Sequence, residues 1–136
     1  MTLGRRLRAG SGIGLQFTTF AGVGVISTGV HYVVLVALVE LLAVVAWAGS
    51  ASGAFAGAVT SYVLNRRITF RSDVAHAQSL PRFAVVAGSG LGLNTAIVAG
   101  LVAIHLHYLL AQVAATLIVL VWNFVLNRQW TFKAKA

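Results

Sequence analysis

Tyr62-Val63-Leu64-Asn65-Arg66-Arg67-Ile68-Thr69-Phe70 and Phe124-Val125-Leu126-Asn127-Arg128-Gln129-Trp130-Thr131-Phe132 share one pattern, Val-Leu-Asn-Arg-x-x-Thr-Phe, at an offset of 62 residues. Each copy closes a long apolar segment and carries the first Arg to follow it. A repeated helix ending predicts two similar membrane hairpins that finish on the same face of a bilayer. The repetition also argues that the motif does more than stop a helix.

Working outward from the motif, the composition identifies the solvent. The chain is 59% hydrophobic and 9% charged, with a mean hydropathy of +0.90. A soluble domain of 136 residues could not hide that much apolar surface, so lipid must cover it. Ten Lys and Arg stand against two acids, Glu40 and Asp73, a balance that invites a nucleic-acid reading. The bases form no continuous face, however. They fall in three clusters, Arg5/Arg6/Arg8, then Arg66/Arg67/Arg71/Arg82, then Arg128/Lys133/Lys135, each placed between apolar runs. That is a topology signal, and no nucleic-acid partner is expected. The absence of cysteine excludes disulfides, thiolate metal sites and a Cys nucleophile. The uncharged run from Ala9 to Val39 is too long for a signal peptide and reads as an uncleaved first span.

At about 1.5 Å per residue, roughly 20 residues cross a bilayer core. The region Leu15 to Leu64 therefore holds two helices, with a turn near Glu40 to Ala46. Residues 71–81 read as a polar connector. A third span is expected from about Arg82 to Ile104, a tight turn at His105 and His107, and a fourth span from about Tyr108 to Asn127. All ten bases then lie on one side, which places both termini and the connector in the cytoplasm. The expected fold is all-α: one polytopic domain over residues 1–136, with four transmembrane helices in two parallel-repeat hairpins. Repeat one spans about 15–70 and repeat two about 82–133. The halves also match at Phe17/Phe83 and at Ala21-Gly22-x-Gly24/Ala87-Gly88-x-Gly90, offset by 66. Because each half begins and ends inside, the pseudo-axis runs along the membrane normal. Small residues at every fourth position, Gly49/Gly53/Gly57/Ser61 and Gly88/Gly92/Ala96/Gly100, are expected to bring helix backbones together.

With these features the chain resembles the GtrA family of small four-span membrane proteins. The resemblance rests on Phe-x4-Gly at Phe17/Gly22 and Phe83/Gly88, on polar Thr28, Asn94 and Thr95 in the first span of each half, and on the paired Asn-Arg-x-x-Thr-Phe endings. It covers about residues 15–133. Family members often carry an acid three positions after the polar Thr of span one, where this chain has His31. The resemblance implies movement of a polyprenyl-phosphate-linked sugar between leaflets of the cytoplasmic membrane, for O-antigen, cell-wall or teichoic-acid glycosylation. A membrane glycosyltransferase is the implied partner.

Such a lipid has a phosphodiester anion, a polar sugar and a long tail. Arg66 and Arg128, with Arg67 and Arg82, stand at the cytoplasmic boundary beside Asn65 and Asn127. Their planar guanidinium groups suit phosphate oxygens and stay protonated. The bland alternative is that Asn65 and Asn127 cap helices while the arginines snorkel and set topology. The carbonyl ends of helices repel anions, but the first and third spans would offer N-termini near Gln16 and Arg82 on the same side. Inside the spans, Thr28, His31, Asn94, Thr95, Gln112 and Asn123 are candidates for a polar path. Interhelical hydrogen bonding would account for them equally. His105-x-His107 lacks a companion carboxylate or thiol for a metal.

Catalysis is not expected. No Gly-x4-Gly-Lys-Ser/Thr loop or paired carboxylate occurs in the sequence, so no ATPase or glycosyltransferase chemistry is read, and no cofactor is expected. Carrying one negative charge outward along an inside-negative potential releases up to about 2.3 kcal/mol per 100 mV, so facilitated flipping is the simplest mechanism. Two rivals remain at the level of sequence. A small multidrug-type exporter usually needs an embedded carboxylate. A scaffold that recruits the glycosyltransferase would need only the spans, the glycines and the arginines. The small interior of four spans predicts a homo-oligomer or a complex.

Overall fold

The computed structural model describes residues 12–133. Arg5, Arg6, Arg8 and Lys135 of the basic clusters lie outside the described residues. Among those described, every regular element is helical: α1 (Ile13–Val36), α2 (Ala46–Leu64), α3 (His76–Ala103) and α4 (Tyr108–Leu126). Three of the four run on into single π-helical turns, at Ala37–Leu41, Asn65–Thr69 and Asn127–Thr131. The chain forms two compact units, Met1–Arg71 and Ser72–Ala136, each built on one helical hairpin.

Three segments are long and apolar enough to cross a membrane: Ile13–Leu41, His76–Ala103 and Tyr108–Thr131. α2 stands outside that set. Gly, Ser and Ala occupy most of its first twelve positions, and these residues add little hydrophobicity per turn.

Those small residues give the first unit its packing. Gly49 faces Leu35 and Val39, Gly53 faces His31, and Gly57 faces Ser27. Ascending positions on one helix meet descending positions on the other, so α1 and α2 are antiparallel. A Cβ on Gly53 would stand 2.5 Å from the His31 carbonyl oxygen, and one on Gly57 would stand 2.8 Å from the Ser27 carbonyl oxygen. The backbones are therefore nearly touching, with glycine Cα–H groups turned toward carbonyl oxygens. In a bilayer, lipid tails are as apolar as leucine, so close van der Waals contact of this kind must supply the association.

The second unit differs from the expected pattern. A Cβ on Gly88, Gly92 or Gly100 would meet nothing within 4 Å, so this stripe does not bring α3 onto α4. The close approach lies instead at Gly90, where a Cβ would stand 2.6 Å from Asn123 Oδ1. Periodicity alone could not tell the two faces of α3 apart, because glycines occupy both.

α3 also begins earlier than expected, at His76 rather than near Arg82, and carries Pro81 within it. A proline in the second turn of a helix lacks a donor but need not end it. The irregular connector is accordingly short, and it is anchored. Ser72 Oγ donates to the Phe132 carbonyl at 2.7 Å and accepts from the Val74 N–H at 3.2 Å, while Val74 is buried. At the opposite ends of the hairpins, Ala43 (φ 52°) and His105 (φ 67°) take left-handed conformations. They sit 62 residues apart, at matching places in the two turns. His107 caps α4 through its Nδ1, which accepts from the Leu109 N–H at 3.2 Å.

Gly53→Ala and Gly57→Ala should each destabilise the first hairpin by about 1–3 kcal/mol, since backbone rather than a side chain must yield. Gly88→Ala and Gly100→Ala should fall within about 0.5 kcal/mol of the parent. Equilibrium unfolding in mixed micelles would measure both pairs; equal effects would refute this division of the glycines.

Candidate functional site

The repeated motif folds the same way twice. In each copy Asn opens a five-residue π turn and Thr ends it. The Phe N–H then closes the turn onto the Asn carbonyl, Phe70 to Asn65 at 2.8 Å and Phe132 to Asn127 at 3.1 Å. Asn65 and Asn127 stand at the C-caps of α2 and α4 with helical φ of −64° and −65°, so the chain runs on into the π turn instead of leaving the helix through a left-handed cap. A π turn by itself is not distinctive, because Ala37–Leu41 forms one without the motif. The distinctive feature is burial. Asn65, Thr69, Asn127 and Thr131 are all at least 95% buried, although each stands in the last turn of its helix.

The terminal Phe of each turn locks it against the first helix of its own unit. Phe70 meets Phe20 with ring centroids 6.1 Å apart, and Phe132 meets Phe83 at 6.5 Å. This gives Thr-Phe a packing role within the protein, beyond the interfacial anchoring that aromatic residues commonly provide.

The polar side chains of the two turns behave differently. In the first unit, Thr69 Oγ1 donates to Asn65 Oδ1 at 2.8 Å, and Asn65 Nδ2 donates to Ser61 Oγ at 3.2 Å. The series 61, 65, 69 is closed upon itself. The matching series 123, 127, 131 is open: Asn123 Oδ1, Asn127 Oδ1 and Thr131 Oγ1 are buried without a hydrogen-bond partner. Each such atom costs about 1–3 kcal/mol.

The arginines are not equivalent either. Arg66 is half-buried, whereas Arg67 and Arg128 are exposed. Arg82 lies in the second turn of α3, so it does not mark a helix N-terminus as the sequence implied. Its Nη1 donates to the Trp130 carbonyl at 3.1 Å, and its guanidinium carbon stands 5.7 Å from the Trp130 ring centroid. Arg82 thus neutralises a carbonyl at the end of the second closing turn and stacks on the aromatic ring beside it.

The candidate path residues fall into separate sets. In the second unit, Gln112 Nε2 donates to Asn94 Oδ1 at 3.0 Å and to Thr116 Oγ1 at 3.1 Å, linking α3 and α4. Nearer the closing turn, Trp122 Nε1 donates to Ser89 Oγ at 3.0 Å. In the first unit, His31 sits against Gly53 and Gly57, with Nε2 buried and unpartnered, as is Ser27 Oγ. Thr28 and Thr95 are exposed and donate to their own helix, at the Gly24 and Leu91 carbonyls. Hydroxyls satisfied in this way are the ordinary state of Thr in an apolar helix.

Sequence reasoning passed over Ser72 and Ser89 as polar partners. A hydroxyl residue carries no spacing signal, and only the folded unit reveals what it reaches. An open apolar groove on α4, lined by Leu117, Ile118, Val121, Trp122, Val125 and Leu126, ends immediately before Asn127.

No curated protein matches this chain. The family model described as "GtrA/DPMS, transmembrane domain" matches residues 19–132, a range that takes in both helical hairpins and both closing turns. The chain is therefore a member of the GtrA/DPMS transmembrane-domain family.

Proposed function

We propose that the protein lies in the cytoplasmic membrane as four spans with both termini inside, and that it carries a polyprenyl-phosphate-linked sugar from the inner to the outer leaflet. The carrying observation is the closing turn built twice from Asn-Arg-x-x-Thr-Phe, with Asn and Thr buried and an Arg following each Asn. Membership of the GtrA/DPMS family supports a membrane role connected with such lipids.

In this reading each unit offers its own guanidinium groups to the phosphate from the inner leaflet, Arg66 and Arg67 next to Asn65 in the first and Arg128 next to Asn127 in the second. Arg82 keeps the second turn's carbonyl dipole from repelling the anion. The prenyl tail stays in lipid along the apolar groove of α4. Each unit offers its own hydrogen-bonding groups to the head group on its way across, Thr28 and His31 in the first and Asn94, Thr95, Gln112 and Asn123 in the second. The protein performs no covalent chemistry; the membrane potential biases the anion outward. A homo-oligomer or a partner glycosyltransferase would enlarge the small interior.

Because the parent contains no cysteine, single cysteines report topology cleanly. Asp73→Cys and Lys133→Cys should react with an impermeant maleimide only from the cytoplasmic side, and Leu42→Cys and Ile104→Cys only from outside. Reaction of Asp73→Cys and Lys133→Cys from opposite sides would refute the parallel repeats.

In proteoliposomes, Arg66→Gln with Arg128→Gln should slow transfer of a prenyl-phosphate sugar by about tenfold or more, the size expected for losing charge-assisted hydrogen bonds. An inside-negative potential should accelerate the parent. Undiminished transfer by the double variant, together with lost glycosyltransferase binding, would establish the scaffold reading instead.

A further inference from the structure

The two closing turns share a backbone but not a hydrogen-bond state. In the first, hydroxyl and amide groups at 61, 65 and 69 satisfy one another. In the second, two amide oxygens and one hydroxyl at 123, 127 and 131 lie buried and unsatisfied. Asn127 is 2% exposed and Thr131 is fully buried. Asn123 Oδ1 packs directly against Gly90, in space that a Cβ there would claim.

We propose that the two repeats have divided their labour: in the first, the row Ser61, Asn65 and Thr69 is structural, and in the second, the row Asn123, Asn127 and Thr131 is a hydroxyl-binding subsite. This rests on the translocation reading above and names which part of the head group is held, and where. The chemistry of the open groups decides the ligand. Amide oxygens accept hydrogen bonds and cannot donate. Their occupant must therefore supply donors, which a phosphate diester lacks and a sugar ring has in number. Phosphate belongs to the guanidinium groups, and the sugar hydroxyls belong to this row beside Arg128. The row is closed over in the described state, so the sugar enters as side chains of the second turn move aside. Unmet acceptors held ready for a ligand also explain why a buried position retains polar groups at a cost in stability.

The test titrates the full chain in nanodiscs with farnesyl phosphate and with its glucose, mannose, galactose and arabinose esters, alongside thermal unfolding. The parent should bind at least one ester more tightly than farnesyl phosphate. Thr131→Val and Asn123→Leu should each reduce that preference by about fivefold to tenfold, the worth of one or two hydrogen bonds, with farnesyl phosphate binding unchanged. Thr131→Val should melt at or above the parent's temperature, because it removes an unsatisfied hydroxyl. Thr69→Val should melt lower and keep the preference. Equal binding of farnesyl phosphate and all its esters would overturn the subsite while leaving a phosphate-binding carrier intact. A more stable Thr131→Val with unaltered preference would mean that the row holds only buried water. Failure of every lipid to bind would remove the carrier reading and the subsite together. Competition by free sugars at the same concentrations would assign the row to a soluble polyol and overturn the lipid-borne ligand.

Discussion

The last carbonyls of a helix have no partner within it and must find one elsewhere, and that constraint organises the closing turn of both units. The final turn widens so that the Phe70 and Phe132 N–H groups reach back five residues to Asn65 and Asn127. Ring contacts with Phe20 and Phe83 then hold each widened turn against the neighbouring helix. In the second unit, Arg82 and Ser72 take up the carbonyls of Trp130 and Phe132. Everything proposed for the head of a lipid substrate depends on the backbone of these ends being held while the guanidinium groups remain at their margin.

The first unit obtains its rigidity differently. Glycines at 49, 53 and 57 bring α2 onto the backbone of α1, which places His31 and Ser27 in a seam with no room for a larger neighbour. In the second unit Gly90 meets a side chain, that of Asn123, and a polar bridge runs from Asn94 to Gln112. Repeats that match in sequence have thus arrived at different mixtures of close packing and hydrogen bonding. Interhelical hydrogen bonds in membranes are worth only about 0.6 kcal/mol on average, so the glycine-packed hairpin should be the firmer of the two.

Much of the architecture was legible because hydropathy and charge are read directly from composition. The helix ends near Leu64, Ala103 and Leu126 and the turns at residues 43 and 105 follow from apolar run lengths and from the duplicated motif. The start of α3 did not follow, since Gln78 and Ser79 look like loop residues and Pro81 looks like a boundary; yet Ser79 is fully buried within the helix. The face of α3 was equally hidden. Gly88 and Gly90 are indistinguishable in a string of letters, and the packing of Asn123 decides between them. For the site, the sequence located Asn65, Arg66, Asn127 and Arg128 through repetition. It could not reveal that one Asn-Thr pair is closed and the other open, because that distinction lies in side-chain placement within residues of the same type.

The tie between Ser72 and the Phe132 carbonyl spans 60 residues, and it carries a consequence for biogenesis. The first unit has all its internal contacts available once residue 71 has left the ribosome. The segment just after it must wait for nearly the whole of the following hairpin to be synthesised before its hydroxyl finds an acceptor. The interval between those two moments is when the linker is most accessible to proteases and chaperones, and it ends only as translation reaches the final aromatic residue.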